Sequence, residues 1–153
     1  MRLINLVFSM ILTLVLTGCS NKDKEDHRCT TVAEDDAKMQ NYISENGITA
    51  IKHASGMYYQ IIEPGSGATP TISSTVKANY TGKFTNNTSF DGGVASFPLG
   101  GVIEGWQIGI PLIKQGGKVK LIIPPYLAYG CCDYRGIPGN SVLVFDVELL
   151  EVQ

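Results

Sequence analysis

The stretch TVKANYTGKF, residues 75–84, decides the fold class of this 153-residue chain. Its side chains alternate between the two sides of an extended backbone, with Val76, Ala78 and Tyr80 on the apolar side. Alternation with a period of two predicts a strand that buries one face and exposes the other. Such half-buried strands are typical of antiparallel sheets, because parallel sheets are usually covered on both faces.

Four more segments of the chain predict strands. Residues 118–123 and 142–150 show the same alternation. Residues 57–62 and 87–91 are short β-prone stretches, the first before a Pro-Gly pair and the second before a Gly-Gly pair. One short helix is predicted after residue 47, from Trp106 to about Ile113, because Pro111 limits it to a turn or two. Short strands joined by turns, with 17 glycines and 7 prolines in the chain, predict an α+β fold with an antiparallel sheet.

An N-terminal helix is predicted over residues 32–46. Thr31 followed by Glu34 forms a capping-box signature, and Asn46-Gly47 marks the helix end. Ala37, Tyr42 and Ile43 share one apolar face. Because a helix of this length is marginal on its own, we expect it to pack either on the domain or on a partner protein.

The first 18 residues predict an export signal rather than a part of the fold. Arg2 precedes an apolar run at residues 3–16, which is shorter than the roughly 20 residues of a membrane-spanning helix. The run ends in Leu16-Thr17-Gly18-Cys19, which resembles the lipobox of bacterial lipoproteins. The resemblance implies that residues 1–18 are removed, that Cys19 is lipidated and that residues 19–31 form a tether. An uncleaved signal anchor is the alternative.

The lipobox resemblance also implies a place in the cell envelope, where acyl chains on Cys19 hold the protein to a membrane. Ser20 after the lipidated cysteine favours the outer membrane. The membrane face stays open, periplasmic or surface. The charged residues 22–26 match a surface-export signal of some bacteria, or they are simply a solvated tether.

Charge excludes one class of partner. The chain has 12 basic and 14 acidic residues, and from Gly47 onward the two kinds number seven each. Nucleic-acid binding requires a basic surface that a neutral domain lacks. We therefore expect no nucleic-acid partner.

Chemistry that needs a metal or a catalytic triad is disfavoured. His27 and His53 are the only histidines, and no metal-site spacing, phosphate-binding loop or dinucleotide motif occurs. We therefore expect neither a metal nor a cofactor. What remains is a set of rings near glycines, which form either ordinary core or the lining of an apolar pocket: Tyr80, Phe90, Phe97, Trp106, Tyr126, Tyr129 and Phe145.

Several motifs in a fixed order carry a resemblance over residues 56–152. They are Val76-x-Ala78-x-Tyr80-Thr81-Gly82, Ser89-Phe90-Asp91, Phe97-x-Leu99-Gly100, Val102-Ile103-x-Gly105-Trp106, Gly116-Gly117-Lys118, Ile123-Pro124-Pro125-x-Leu127-Ala128-Tyr129-Gly130, Ile137-Pro138 and Leu143-x-Phe145-Asp146-Val147-Glu148-Leu149. Together they resemble the FKBP-type peptidyl-prolyl cis-trans isomerase family. The resemblance implies an isomerase domain at residues 56–153, with residues 32–55 as a short helix and its connection.

The FKBP resemblance implies a five-stranded antiparallel sheet wrapped around a short helix, with a substrate pocket between them. Trp106 corresponds to the pocket floor, while Asp91 and the Tyr129 hydroxyl are its polar members. The backbone N–H of Ile103 is expected to donate to a substrate carbonyl, and Phe97 and Ile137 belong to the rim. The walls correspond to Tyr80, Phe90, Val102, Ile103, Tyr129 and Phe145. Asp91 has a simpler alternative role as the cap of a turn at Gly92-Gly93.

The implied activity is rotation about X-Pro peptide bonds in exported or envelope proteins. Proline-containing polypeptides are the implied substrates, and the family's macrolide inhibitors are implied further ligands. Rotation costs about 18–20 kcal/mol because amide resonance is lost. A pocket that binds the twisted form most tightly lowers this barrier without covalent chemistry. Two other functions stay open: a non-catalytic, chaperone-like binding module of the envelope that uses the same pocket, and an assembly factor whose helix at 32–46 contacts the partner.

The chain departs from the family pattern at the pocket rim. Ala95 stands where the family has an aromatic residue, and Gly139 replaces the second proline of Ile-Pro-Pro, which predicts a wider and looser rim. Three cysteine pairings are open in an oxidising compartment. Cys29 bonds to Cys131 or to Cys132, or the two adjacent cysteines bond to each other.

Overall fold

The computed structural model describes residues 28–153. The predicted signal at residues 1–18, the lipidation site Cys19 and most of the predicted tether lie outside the described residues. Among those that are described, no helix is long and apolar enough to cross a membrane.

The described chain forms one antiparallel sheet of six strands and two α-helices. The strands are β1 Ile51–Lys52, β2 Tyr58–Glu63, β3 Thr75–Phe84, β4 Ser89–Pro98, β5 Lys118–Ile123 and β6 Leu143–Val152, and the helices are α1 Val32–Glu45 and α2 Glu104–Gly109. Short 3₁₀ turns lie at Leu99–Gly101, Ile110–Leu112 and Pro125–Leu127. The strand order is β1-β2-β5-β6-β3-β4. The expected α+β fold is confirmed, with one strand more than predicted.

Two strands differ from the prediction. β1 has only two residues, too few to show an alternating pattern. β4 does not end at Asp91 but continues through Gly92-Gly93 to Pro98. The glycine pair is not a turn, because pairing with Thr81 and Tyr80 of β3 supplies its backbone partners. β4 is therefore a long edge strand beside the predicted site.

α1 packs on the outer face of the sheet, which is the first of the two expected alternatives, the domain or a partner protein. Its buried side chains Met39 and Tyr42 join a cluster with Tyr58, Ile122 and Val144 of the sheet. This packing occupies the apolar face on which a partner contact by the helix would rely. The expected face is wrong at Ala37, which is exposed, while Asp35 is buried and accepts a 2.7 Å hydrogen bond from the Thr30 hydroxyl.

The predicted capping box at the start of α1 is present. The Glu34 N–H donates to the Thr31 hydroxyl, and the Thr31 N–H donates to the Glu34 carboxylate at 2.7 Å. This backbone hydrogen bond, with the Thr31 hydroxyl and the nearby Arg28, lowers the pKa of Glu34 from 4.5 to about 2. The charged carboxylate therefore stabilises the helix start above pH 4.5, and that contribution is lost as the pH falls towards 2.

A disulfide bond ties the segment before α1 to the loop after β5. Cys29 is bonded to Cys131, with their Cα atoms 4.9 Å apart, which selects one of the three open pairings. Asn140 adds to the same connection: its side chain accepts from the Thr30 N–H and donates to the Arg28 carbonyl, each at 2.9 Å. The N-terminal segment thus braces the loop that includes Cys131.

α2 lies unusually close to β5 because two glycines face the strand. A Cβ atom at Gly105 would lie 2.5 Å from Cγ2 of Ile123, and one at Gly109 would lie 2.6 Å from Cδ2 of Leu121. Neither strand residue has exposed surface. The close approach sets the depth of Trp106, which follows Gly105 on the helix.

We expect Gly105→Ala to destabilise the protein. Alanine at a helical position normally gains up to about 1 kcal/mol over glycine, but here the new methyl group would force apart a packed contact, at a net cost of about 1–3 kcal/mol. Chemical denaturation measures the difference. Gly101→Ala is the matched control, because no atom beyond its own chain neighbours lies within 4 Å of the added Cβ. Equal stability of the two variants would contradict the close-packing account.

We expect the double substitution Cys29→Ser and Cys131→Ser to lower the free energy of unfolding by about 2–4 kcal/mol, because the bond closes a long loop in the unfolded chain. The two cysteines are 102 residues apart. Urea denaturation without reductant measures this loss. A midpoint equal to that of the unsubstituted protein would show that the bond does not form or does not stabilise the fold.

Candidate active site

A cavity of about 640 Å³ opens between α2, the sheet and the loop at residues 129–137. All ten predicted site residues line it: Tyr80, Phe90, Asp91, Phe97, Val102, Ile103, Trp106, Tyr129, Ile137 and Phe145. Four lining residues were not predicted: Gly101, Tyr134, Arg135 and Gly136. The structure thus brings the whole predicted set together, while the roles of these residues in binding and catalysis stay predictions.

Trp106 lies at the centre of a ring cluster. Tyr80 and Phe145 meet its indole edge-to-face, with centroids 5.0 and 5.2 Å away, and Phe97 lies tilted at 5.3 Å. Edge-to-face pairs add roughly 0.5–1.5 kcal/mol each beyond the burial of area. Phe97 therefore supports the indole as well as lining the cavity. The indole N–H is buried and has no hydrogen-bond partner among the described residues.

The wall formed by Phe90 and Phe145 depends on Gly82 of β3. The two phenylalanine rings meet edge-to-face with centroids 5.7 Å apart. A Cβ at Gly82 would lie 2.8 Å from atoms of both rings. Only glycine leaves room for this ring pair, which explains the glycine in the Tyr80-Thr81-Gly82 motif.

Asp91 lines the cavity, and it has no turn to cap because Gly92 and Gly93 belong to β4. One carboxylate oxygen accepts a 3.0 Å hydrogen bond from the Tyr80 hydroxyl, and the other accepts from the Gly92 N–H at 2.8 Å. Burial raises the pKa of the Tyr80 hydroxyl, and the hydrogen bond to Asp91 raises it further. Tyr80 therefore stays protonated and holds the carboxylate in place at neutral pH.

The start of α2 presents a backbone donor to the cavity. The Ile103 carbonyl accepts from the N–H groups of Trp106 and Gln107, and the Gln107 side chain donates to the Val102 carbonyl at 2.7 Å. The N–H of Ile103 makes no hydrogen bond to another described residue. It remains available to a carbonyl in the cavity, as the family resemblance implies.

Three of the four unpredicted lining residues belong to a small hairpin. Tyr134 and Ile137 exchange two backbone hydrogen bonds of 2.9 Å, which leaves Arg135 and Gly136 as a two-residue turn with φ of 47° and 87°. Two positive φ values are the pattern of the turn that best fits a tight hairpin. The usual sequence signal for it is Asn-Gly or Asp-Gly. Arginine stands at the first position instead, where its positive φ costs roughly 1–2 kcal/mol. Because the usual signal is missing, the sequence did not reveal the turn.

The rim is less loose than Gly139 suggests. A Cβ at this position would collide with the carbonyl of Cys131, and the Gly139 N–H donates to the Asp133 carboxylate at 2.8 Å. Proline would lack this N–H and would meet the same carbonyl. The loosening expected from Gly139 is therefore wrong. Ala95 is exposed and does not line the cavity, and the widening expected from it stays a prediction.

The site provides apolar surface and a few fixed polar groups. In residues 28–153 no cluster of three or more His, Cys, Asp or Glu side chains is placed to bind a metal ion. Asp91 is the one acid of the lining and Arg135 its one base. Asp91 already accepts two hydrogen bonds within the protein, and most of the lining is apolar, as in sites that bind apolar groups.

The FKBP-type peptidyl-prolyl cis-trans isomerase family model matches residues 67–150. The Escherichia coli K12 protein named FKBP-type peptidyl-prolyl cis-trans isomerase FkpA is 45% identical over 130 residues, covering 79% of this chain and 47% of that protein. The Haemophilus influenzae protein named probable FKBP-type peptidyl-prolyl cis-trans isomerase is 44% identical over 104 residues, covering 64% of this chain and 43% of that protein. The chain thus spans about half the length of the curated relatives it matches.

Solved structures give the same result. The crystal structure of Escherichia coli FkpA matches with a TM-score of 0.72 and 43% identity, over 80% of this chain and 61% of that chain. The crystal structure of AtFKBP13 matches with a TM-score of 0.62 and 33% identity, over 68% of this chain and 98% of that chain. The fold, the ring-lined pocket and these similarities agree that the chain belongs to the FKBP-type peptidyl-prolyl cis-trans isomerase family.

Proposed function

We propose that this chain is a peptidyl-prolyl cis-trans isomerase that rotates X-Pro bonds in exported or envelope proteins. The observation that carries the proposal is the cavity around Trp106, in which aromatic rings dominate and polar groups are few and fixed. The names of the relatives support the activity. The cavity also has the size of a small-molecule site, which fits the family's macrolide inhibitors as ligands.

The proposed mechanism acts on the energy of the amide, and no covalent bond forms or breaks. A planar amide has a large charge separation that water stabilises, and this separation falls when the C–N bond is twisted out of resonance. A cavity lined by the rings of Trp106, Tyr80 and Phe145 is less favourable to the planar form than water is. Because such a site binds the twisted form more tightly than either planar isomer, it lowers the barrier.

Few residues are needed to orient the substrate. The proline ring lies against the indole of Trp106, and the free N–H of Ile103 donates to a substrate carbonyl. Burial raises the pKa of the Tyr129 hydroxyl, which keeps it protonated as a second donor at the cavity. Asp91 and Tyr80 hold each other at the polar edge of the pocket.

We expect the purified protein to accelerate cis-trans exchange of a proline tetrapeptide, and we expect Trp106→Leu to reduce kcat/KM by about tenfold or more, which corresponds to about 1.4 kcal/mol. Asp91→Asn, at an exposed position, tests the polar edge with little effect on folding. The protease-coupled exchange assay measures both variants.

Tyr126→Ala is the matched control, since Tyr126 is an aromatic residue that does not line the cavity. Catalysis is excluded if the folded protein leaves the exchange at its uncatalysed rate. In that case binding of the same peptide would leave the chaperone-like binding module as the function of the pocket.

The proposal includes the cell envelope as the location, with a lipid anchor on Cys19. The supporting observations are the signal-like N-terminus, its ending in Leu16-Thr17-Gly18-Cys19, and the Cys29–Cys131 disulfide. Disulfides persist in exported proteins and are rare in the reducing cytosol. Ser20 favours the outer membrane as the site of the anchor.

We expect the protein, expressed in a Gram-negative host, to incorporate labelled palmitate and to sediment with membranes, and we expect Cys19→Ala to lose both properties. Cys29→Ala is the control that keeps the lipobox intact and should keep the label. Label that persists in Cys19→Ala would rule out this anchor.

A further inference from the structure

Arg135 lies at the mouth of the cavity and is not part of the pattern that defines the family. It occupies the tip of the hairpin at residues 134–137, with a backbone φ of 47°. The two hydrogen bonds between Tyr134 and Ile137 hold this tip against the pocket, since Ile137 is buried and lines the same cavity. The basic side chain is therefore part of the surface that a bound polypeptide meets.

A stack of planar groups positions the guanidinium. The rings of Tyr129 and Tyr134 are nearly parallel, 11° apart, with centroids separated by 4.9 Å. The guanidinium carbon of Arg135 lies 5.4 Å from the centroid of Tyr134, within the range of a cation–π contact. The stack connects Arg135 to Tyr129, a predicted substrate-orienting residue.

The charge of Arg135 is not neutralised by the described part of the protein. No hydrogen bond or ion pair within residues 28–153 involves its guanidinium. The acid of the lining and the acid two residues before Arg135 in the chain both accept hydrogen bonds from other groups. Asp91 accepts from Tyr80 and Gly92, and Asp133 accepts from the Gly139 N–H. Arg135 is exposed at the rim, so its guanidinium is accessible to an acidic side chain of a bound polypeptide.

We propose that Arg135 selects substrates in which an acidic side chain flanks the proline. Arginine suits this role because its planar fork matches a carboxylate in a bidentate pair. The inference rests on the proposed isomerase activity and adds a substrate class to it: acidic prolyl segments of polypeptides. An exposed pair of this kind changes kcat/KM by about two- to fivefold, and added salt weakens it.

The experiment compares proline peptides in two series, with Glu, Gln or Lys immediately before the proline or immediately after it. NMR exchange spectroscopy measures cis-trans exchange of each peptide with and without the protein. The uncatalysed rate of each peptide is subtracted from its catalysed rate. The readout is the ratio of kcat/KM for the Glu peptide to kcat/KM for the Gln peptide. We expect this ratio to exceed one in at least one series and to fall towards one as salt is added.

Three substitutions at Arg135 test the assignment. Arg135→Gln should bring the ratio to about one, Arg135→Glu should favour the Lys peptide, and Arg135→Lys should restore part of the preference for Glu. Lys38→Gln is the matched control, because it removes one positive charge from the exposed side of α1, away from the cavity. It should keep the ratio of the unsubstituted protein.

Two results overturn the proposal, and they are distinguishable. If the Gln peptide is isomerised but the ratio is one in both series, or is unchanged in Arg135→Gln, the charge selection is wrong and the isomerase activity stands. If no peptide is isomerised by the folded protein, the proposed function fails and the selection fails with it.

Discussion

The approach of α2 to β5 is the constraint on which the pocket depends. Glycine at positions 105 and 109 lets the helix lie against Ile123 and Leu121 without an intervening side chain. This contact places Trp106 deep enough for three rings to pack around its indole. A helix further from the sheet would leave the indole without that support. The position of Trp106 therefore depends on glycine, which has no side chain, at positions 105 and 109.

The two faces of the sheet have different tasks. The inner face carries α2 and the ring-lined cavity, while α1 seals the other side through Met39 and Tyr42. The Cys29–Cys131 bond and the Asn140 side chain link the start of α1 to the loop at the cavity mouth. The N-terminal segment is thus a brace for the loop that carries Arg135, and the pocket floor is supported separately by α2.

The separation between floor and rim has a chemical consequence. The proposed catalysis by stabilising a twisted amide uses apolar rings and one or two backbone donors, for which the floor and the Ile103 N–H are the proposed groups. The proposed selection among substrates uses charge, and the lining places its one basic side chain at the rim. Changes in the loop at residues 131–137 can therefore alter preference while leaving the rings around Trp106 untouched.

The sequence predicted the parts of the fold in which side-chain pattern and burial agree. β3, β5 and β6 show a clean alternation and appear where expected, and the family motifs located all ten predicted lining residues. The second half of β4 was missed because glycines on an edge strand carry no pattern, although pairing with β3 holds them extended. Ala37 was wrongly predicted to lie on the buried face of α1. Asp35 is buried there instead, with its carboxylate accepting a hydrogen bond from Thr30.

The rim was less predictable for a similar reason. The turn at Arg135-Gly136 lacks the usual residue at its first position, so only the two hydrogen bonds between Tyr134 and Ile137 identify it. Which cysteine bonds to Cys29 depends on how α1 packs against the sheet, and that is a property of the tertiary structure. Gly139 is similar, since the nearby Cys131 carbonyl that requires it is invisible in the sequence.

The fluorescence of Trp106 reports directly on whether the proline ring binds against the indole, because Trp106 is the one tryptophan of the chain. The measurement is a titration with a proline peptide and with the same peptide carrying alanine in place of proline. We expect a saturable change in emission with the proline peptide and none with the alanine peptide over the same concentrations. Equal responses to the two peptides, or no response from a protein that accelerates exchange, would show that the proline ring does not bind against Trp106.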